Sequence, residues 1–407
     1  MPAAVETPME RPKVPDASTS HHRALRPNAS PRVSLARTAP GKLYWLLFCL
    51  FPVTQRGHPG GSPGSMAAAS AMAGTVKALC RAPFGPTRRC ASSLASLVSS
   101  HAAAAPDRLA LAAPQQGLSW SFGELEDRAE HVAAALAARG YVRGHSLVTD
   151  LPNSAENLLL QVACSRLGVA VATAKDEAAV KELVSKRSLM GAVAHRPSSS
   201  ESEALPSLLV QCQLPLPPFL VEELDGSLAA FQDGRCPDAV KVYDATPLGY
   251  WSSTTALTNG EAISVMGAAA RDRLAMTAED RVLVGITLCH AFGIGSAVGG
   301  AWLAGAAVVL PGASGIRGCG SPSQRAEATL ACLASQRCTL LFADVHTLKA
   351  LPLPGPGVDV SALRGGVCKV GSGSTFLEDV REAKLGPENE LRPLEYAGVR
   401  LVAIGKL

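Results

Sequence analysis

Few side chains in this sequence form a constellation able to do chemistry unaided. Gly371-Ser-Gly-Ser374 is a loop of small residues, the composition a phosphate cradle needs. No donor-rich helix start follows it, so it reads as a turn. Eleven cysteines are scattered from Cys49 to Cys368 with no CxxC pair. That spacing suits neither a zinc site nor a disulfide framework, and the apolar surroundings of most of them predict buried free thiols. The chain has no HExxH, no GxGxxG after a strand, and no paired carboxylates in a pocket-like context. Unaided, the residues define an organellar α/β protein and no reaction.

The 407 residues are 47% hydrophobic but only 4% aromatic, and the apolar share rests on alanine. That is the profile of a helix-friendly globular chain long enough for a substantial core. Charge is unevenly placed. Residues 1–106 carry a net +9 and the remainder a net −5. An acidic body excludes nucleic-acid binding by the folded part, because phosphate contacts need a basic face. The basic charge therefore belongs to targeting. From Ala17 to Pro106 there is no acidic residue, and Arg, Ser, Ala, Pro and Gly dominate, as in an organelle transit peptide. The apolar run Leu43–Phe51 is too short to span a bilayer but fits a signal-peptide core. A second start-like stretch opens at Met66 and continues through Arg81, Arg88 and Arg89 into Ser/Ala-rich sequence. The expected address is the mitochondrion, with Met66 as a candidate true start; a bipartite leader for a plastid and a disordered tail without an address are the alternatives. No transmembrane segment is expected in the mature chain.

Hydropathy patterning sets out the body. Ser121 with Glu124 three residues on is a capping box that predicts a helix over 122–139, closed by Gly140. A strand is expected at 146–149, a helix capped by Ser154 to Leu167, a strand at 169–173, a helix over 176–186 and a strand at 191–194. After the Ser/Pro/Glu-rich stretch 197–218, strands are expected at 281–288, 306–310, 339–343 and 366–370, with helices over 291–303 and 324–335. This alternation is that of an α/β protein with layered helices on mostly parallel sheets. The expected organisation is a disordered leader over 1–92, a first α/β half over 93–196, a linker over 197–241, a second half over 242–385 and an irregular tail over 386–407.

The order helix, Gly-Tyr-Val-x-x-Gly, strand and Leu-Pro-Asn-Ser across 119–153, the run 276–311, and the segments 338–351 and 363–376 resemble the adenylate-forming superfamily of acyl-CoA synthetases and AMP-dependent ligases. The resemblance covers about residues 93–385 and implies part of that family's large N-terminal domain. It also implies a phosphate loop, Tyr-Thr-Ser-Gly-Thr-Thr-Gly-x-Pro-Lys-Gly, which here reads Tyr250-Trp-Ser-Ser-Thr-Thr-Ala-Leu-Thr-Asn-Gly260. Ser252, Thr254, Thr255 and Gly260 keep hydroxyls and one glycine able to bond phosphate oxygens of ATP or AMP. Ser253 and Ala256 replace glycines that would allow close backbone approach, and Asn259 replaces the lysine that offsets triphosphate charge. His290, in Thr-Leu-Cys-His, matches a histidine that in the family shapes the acyl pocket; a structural role at a strand end is the competing reading. His346 stands where the family usually has proline and reads as drift. The family's Tyr-Gly-x-Thr-Glu stretch, ribose aspartate and late lysine have no match; Leu394–Gly398 has the wrong order.

The implied function is a non-catalytic family member with no catalytic or metal-binding residue, an accessory or structural subunit of an organellar complex such as an ATP-synthase or respiratory assembly. Its partners would be the other subunits of that complex, with no nucleic acid. An incomplete or split carboxylate–CoA ligase forming an acyl-adenylate from ATP is the alternative, and a module that binds nucleotide or acyl group without turnover is a third.

Overall fold

The computed structural model describes residues 93–149, 151–173, 189–194, 214–216, 219–220, 247–252, 255–288, 290–312, 321–371, 382–384 and 391–404. The leader 1–92, the helix expected over 176–186, most of the 197–241 stretch, Gly371's neighbours 372–374, and Ser253, Thr254 and Cys289 lie outside the described residues. All that is described belongs to one compact unit.

The first element, helix α1 (Leu94–Ala104), is opened by a capping box between Ser93 and Ser96. Its Leu94, Leu97 and Val98 are buried, so the end of the Ser/Ala-rich stretch read as a presequence is core. Strands β1 (Leu109–Ala113) and β2 (Leu118–Ser121) form a hairpin, and α2 (Phe122–Ala138) starts on the expected Ser121–Glu124 capping box. Strand β3 (Ser146–Thr149) precedes α3 (Ala155–Leu167), which Ser154 caps and Gly168 ends in the left-handed conformation. Arg166 of α3 is paired with Glu126 at 2.7 Å and with Glu130, both on α2. Then come β4 (Ala170–Thr173), β5 (Leu189–Ala194), β6 (Phe219–Leu220), β7 (Pro247–Ser252) and β8 (Thr255–Thr258).

Helix α4 is π-wound over Glu261–Gly267 and α-helical over Ala268–Arg273. Strand β9 (Arg281–Val284) leads to α5, π-wound over Phe292–Gly299 and α-helical over Gly300–Ala304. The rest is β10 (Ala307–Val309), α6 (Pro322–Ser335), β11 (Leu340–Asp344), α7 (Val345–Ala350), β12 (Gly365–Lys369), β13 (Glu382–Lys384), β14 (Leu391–Pro393), β15 (Glu395–Tyr396), β16 (Val399–Arg400) and β17 (Val402–Ile404).

Two sheets carry the architecture. A six-stranded sheet runs β6-β5-β3-β4-β7-β8, parallel except for β8 at its edge. A seven-stranded sheet runs β17-β12-β11-β9-β10-β1-β2, parallel except for β2. Each sheet takes strands from both sides of the 197–241 stretch: β7 and β8 complete the first, while β1 and β2 complete the second. The joint is tied by side chains. Trp302 of α5 donates its indole N–H to Ala110 O of β1 at 3.2 Å, and a His101 ring nitrogen lies 2.6 Å from Trp302 O.

Two differences from the sequence reading have physical causes. The apolar run 281–288 is a strand only to Val284. Beyond it, Asn153 donates to Ile286 O and accepts from Leu288 N at 2.9 Å, so a distant side chain takes the backbone groups a longer ladder would use. The segment expected to be irregular, 386–407, holds β14 to β17. There Leu401, Ala403 and Ile404 are buried, and β17 extends the seven-stranded sheet beside β12. The β15–β16 hairpin turns on Ala397 and Gly398, both at positive φ. Tyr396 is held by its hydroxyl, which donates to Pro352 O at 2.8 Å.

Candidate functional site

The stretch singled out from sequence forms the end of the six-stranded sheet. Strands β7 and β8 pair antiparallel with Pro247 opposite Thr258, Tyr250 opposite Ala256, and Ser252 opposite Thr255. Ser252 and Thr255 are therefore the last paired residues described at this end of the ladder, and Thr254 lies outside the described residues. A ladder that continues to Ser252 and Thr255 commits backbone along most of the loop to strand pairing. A phosphate cradle needs such amides turned toward the ligand.

The far side of the hairpin is more informative. Thr258 Oγ1 accepts from Glu261 N at 3.2 Å, while Glu261 Oε2 accepts from Thr258 N at 3.1 Å and from its hydroxyl at 3.0 Å. These reciprocal bonds make a capping box at the start of α4. An ionised carboxylate thus sits at the helix N-terminus, where the positive end of the dipole and unpaired amides would otherwise receive a phosphate. Between the box partners, Asn259 has no solvent exposure. Its Oδ1 accepts from Ser165 Oγ of α3 at 3.4 Å, and Ser165 Oγ in turn accepts from Ala95 N of α1 at 3.4 Å. The position that the resemblance assigns to lysine thus points into the core and links α1, α3 and α4. Gly260 has φ −61° and ψ −43°, a right-handed backbone open to any residue.

His290 lies half-buried beyond β9, one residue before Ala291, which leads into α5. Its amide donates to Thr287 O at 3.3 Å and its carbonyl accepts from Ile294 N at 3.0 Å, so its backbone closes a turn and begins the helix. Asn153 pins the preceding residues. The helices that follow Gly260 and His290 cross closely. A Cβ on Gly267 would stand 2.9 Å from Gly299 C and 3.1 Å from Gly300 N, so only glycine fits at this crossing. The structure thus places Gly260 and His290 at the starts of two crossing helices and Ser252 and Thr255 at a hairpin end.

Sequence reasoning missed Thr258, Glu261 and Asn153. The Thr-x-x-Glu signal was present, but a phosphate-loop reading of the same residues obscured it. His346 is the second residue of α7, after the Asp344 N-cap and Val345. Among the described residues, no cluster of three His, Cys, Asp or Glu side chains could hold a metal. Cys164, Cys332, Cys338 and Cys368 are buried free thiols; burial pushes Cys332 and Cys368 up to about 12, which keeps them protonated and unreactive.

A two-pronged charge pair sits away from this region. Asp280, buried just before β9, takes a two-pronged contact from Arg364 at 2.9 and 2.7 Å, the Thr339 hydroxyl at 2.7 Å and Thr277 N at 2.8 Å. Burial alone would raise its pKa. The bonds from Arg364, Thr339 and Thr277 outweigh burial and hold it below the ordinary carboxylate value. Arg364 also donates to Leu274 O at 2.9 Å and Ala275 O at 3.1 Å, so this network fastens the end of α4 to the sheet.

A family model for AMP-binding enzymes matches residues 98–343. Among solved structures, the crystal structure of VinN superposes with a TM-score of 0.55 at 19% identity, covering 69% of this chain and 68% of VinN. The N-terminal domain of FACL13 from Mycobacterium tuberculosis gives 0.56 at 14% identity over 70% of this chain and 71% of that domain. A fatty acyl CoA synthetase from M. tuberculosis gives 0.57 at 14% identity, over 70% of this chain and 56% of the synthetase. At these identities the likeness establishes the fold. A comparison with curated proteins gave no match.

Proposed function

Because the chain belongs to the AMP-binding enzyme family, the adenylate-forming synthetases and ligases, we propose that it keeps their fold without their reaction and serves as an accessory or structural subunit of an organellar complex. The observation that carries this reading is the start of α4. Adenylation needs cationic and amide donors around the nucleotide phosphates. Here Asn259 is turned into the core, and Glu261 brings a negative charge to the helix end. The residues described at this helix start do not fit ATP phosphates.

The basic leader supports a mitochondrial address, with a plastid as the alternative, and a respiratory or ATP-synthase assembly as a concrete setting. Two experiments test the proposal. The purified chain is titrated with ATP and AMP while thermal unfolding is followed, and pyrophosphate release is assayed with short and long carboxylic acids. No saturable stabilisation and no release are expected; either response would overturn the non-catalytic reading. A native gel of organelle extract followed by a denaturing dimension then reports assembly. Migration within a large complex is expected, and migration as a free chain would overturn the accessory role.

A second reading is a split or incomplete carboxylate–CoA ligase. It is favoured by the match to little more than half of the M. tuberculosis synthetase and by the position of His290 after β9. Pyrophosphate release that appears only when a second chain is added would establish it.

A further inference from the structure

The connection that leaves α7 carries proline at every second position, as Leu351-Pro-Leu-Pro-Gly-Pro-Gly357. The pyrrolidine ring fixes φ near −65° at Pro352, Pro354 and Pro356 and pushes each residue before a proline out of the helical region into the extended one. Leu351 shows the result, with φ −69° and ψ 113°. Residues 351–356 therefore make two turns of polyproline II helix. They end in a turn with Pro356 second and Gly357 third at φ +83°, where Val358 N donates to Gly355 O at 3.1 Å.

Burial along this stretch repeats every three residues, the period of that helix. Leu351 is buried and Pro354 half-buried on the edge that faces the body, while Pro352, Leu353, Gly355 and Pro356 are exposed on the other two edges. Leu353, at 77% exposure, is the most exposed large apolar side chain among the described residues. The ridge is held in place rather than free to sample other shapes. Leu351 packs in the core beside Tyr396, and the Tyr396 hydroxyl donates to Pro352 O at 2.8 Å. Among the described residues nothing donates to the carbonyls of Leu353 and Pro354. Residues 351–356 carry no charge, but Lys349 stands exposed in the last turn of α7, just before the ridge, with no ion pair among the described residues.

We propose that this ridge is a docking surface for a partner protein that reads polyproline II helix with an aromatic-lined groove, Leu353 and Pro356 filling the groove and a carboxylate at its rim meeting Lys349. Such grooves favour a ligand already in the extended form, because little conformational entropy is then lost on binding. Their tyrosine or tryptophan donors would meet the open carbonyls of Leu353 and Pro354. The proposal adds a class of partner to the accessory reading and does not rest on it, since the ridge is built whether or not the chain is catalytic.

The test titrates the full chain into purified SH3, WW and EVH1 domains and follows the fluorescence of the aromatic side chains in their grooves. Saturable binding to at least one domain is expected. Leu353→Asp should weaken it at least about tenfold, as loss of a central anchor does, and should leave the urea unfolding midpoint of the chain unchanged because the side chain is exposed. Tyr396→Phe releases Pro352 O and should weaken binding about threefold by loosening the ridge. Lys349→Ala should slow association and reduce its salt dependence. No binding to any of the domains, or binding that Leu353→Asp leaves unchanged, would overturn the proposal. A salt dependence unchanged in Lys349→Ala would overturn the acidic rim.

Discussion

Replacing Asn259 with lysine restores the residue that the family's loop carries, and the structure predicts that restoration to be harmful. The side chain at 259 has no solvent exposure and faces Ser165 on α3. An ammonium placed there loses its hydration at an effective cost of several kcal/mol. The longer side chain adds about 1–3 kcal/mol of overpacking, and Ser165 loses an acceptor worth about 1 kcal/mol. Together a destabilisation of about 6 kcal/mol is expected for Asn259→Lys. With a urea dependence near 3 kcal/mol per molar, the unfolding midpoint should fall by about 2 M, read by circular dichroism. Adding ATP should not restore it. Were a phosphate site regained, ligand at about a hundred times its Kd would return about 2.7 kcal/mol, or about 0.9 M of midpoint. A variant as stable as the parent, or one rescued by ATP, would refute the reasoning, because the lysine would then reach solvent where a triphosphate can meet it.

Three further outcomes follow from the same geometry. Glu261→Ala removes one half of the α4 capping box and should cost about 1 kcal/mol, while Glu261→Gln should cost less; equal stability of all three forms in urea would show that the cap contributes nothing. Gly267→Ala puts a methyl 2.9 Å from Gly299 and should cost about 1–3 kcal/mol by forcing α4 and α5 apart, measurable as a lower unfolding midpoint. Asp280 has a folded pKa below its unfolded value near 3.9, so its contribution to stability is complete at neutral pH and is lost as pH falls through the folded pKa. Asp280→Asn should lower stability at pH 7 and flatten the acid side of the stability profile below about pH 4; an unchanged acid slope would sink that assignment.

The parts of this fold legible in sequence are those whose cause is local. Ser121 with Glu124, and Ser154 with Gly168, specify α2 and α3 because caps act within one helical turn. Parallel strands such as β9, β10 and β11 show as short apolar runs. The rest depends on distant partners. The end of β9 is set by Asn153, more than 130 residues away. Helix α1 was hidden because Ser and Ala serve a targeting leader and a packed helix equally well. At the candidate site, the hydroxyls were visible and the inward direction of Asn259 was not, since α3 and α1 decide which way it turns. The Thr258–Glu261 box was written in the sequence and needed only to be read as helix chemistry.

The exchange of strands between the two sheets governs when this chain can fold. The β1–β2 hairpin is finished by Ser121, yet its parallel partner β10 arrives only at Ala307–Val309. At ribosomal rates of about 5–20 residues per second, the hairpin waits roughly 10 to 40 s for that partner. Throughout that interval one edge of β1 and the indole-binding carbonyl of Ala110 remain uncovered. Folding is therefore largely post-translational and of high contact order, which slows it. Until its last sheet strands have been made, the chain therefore stays open enough to be threaded through a pore.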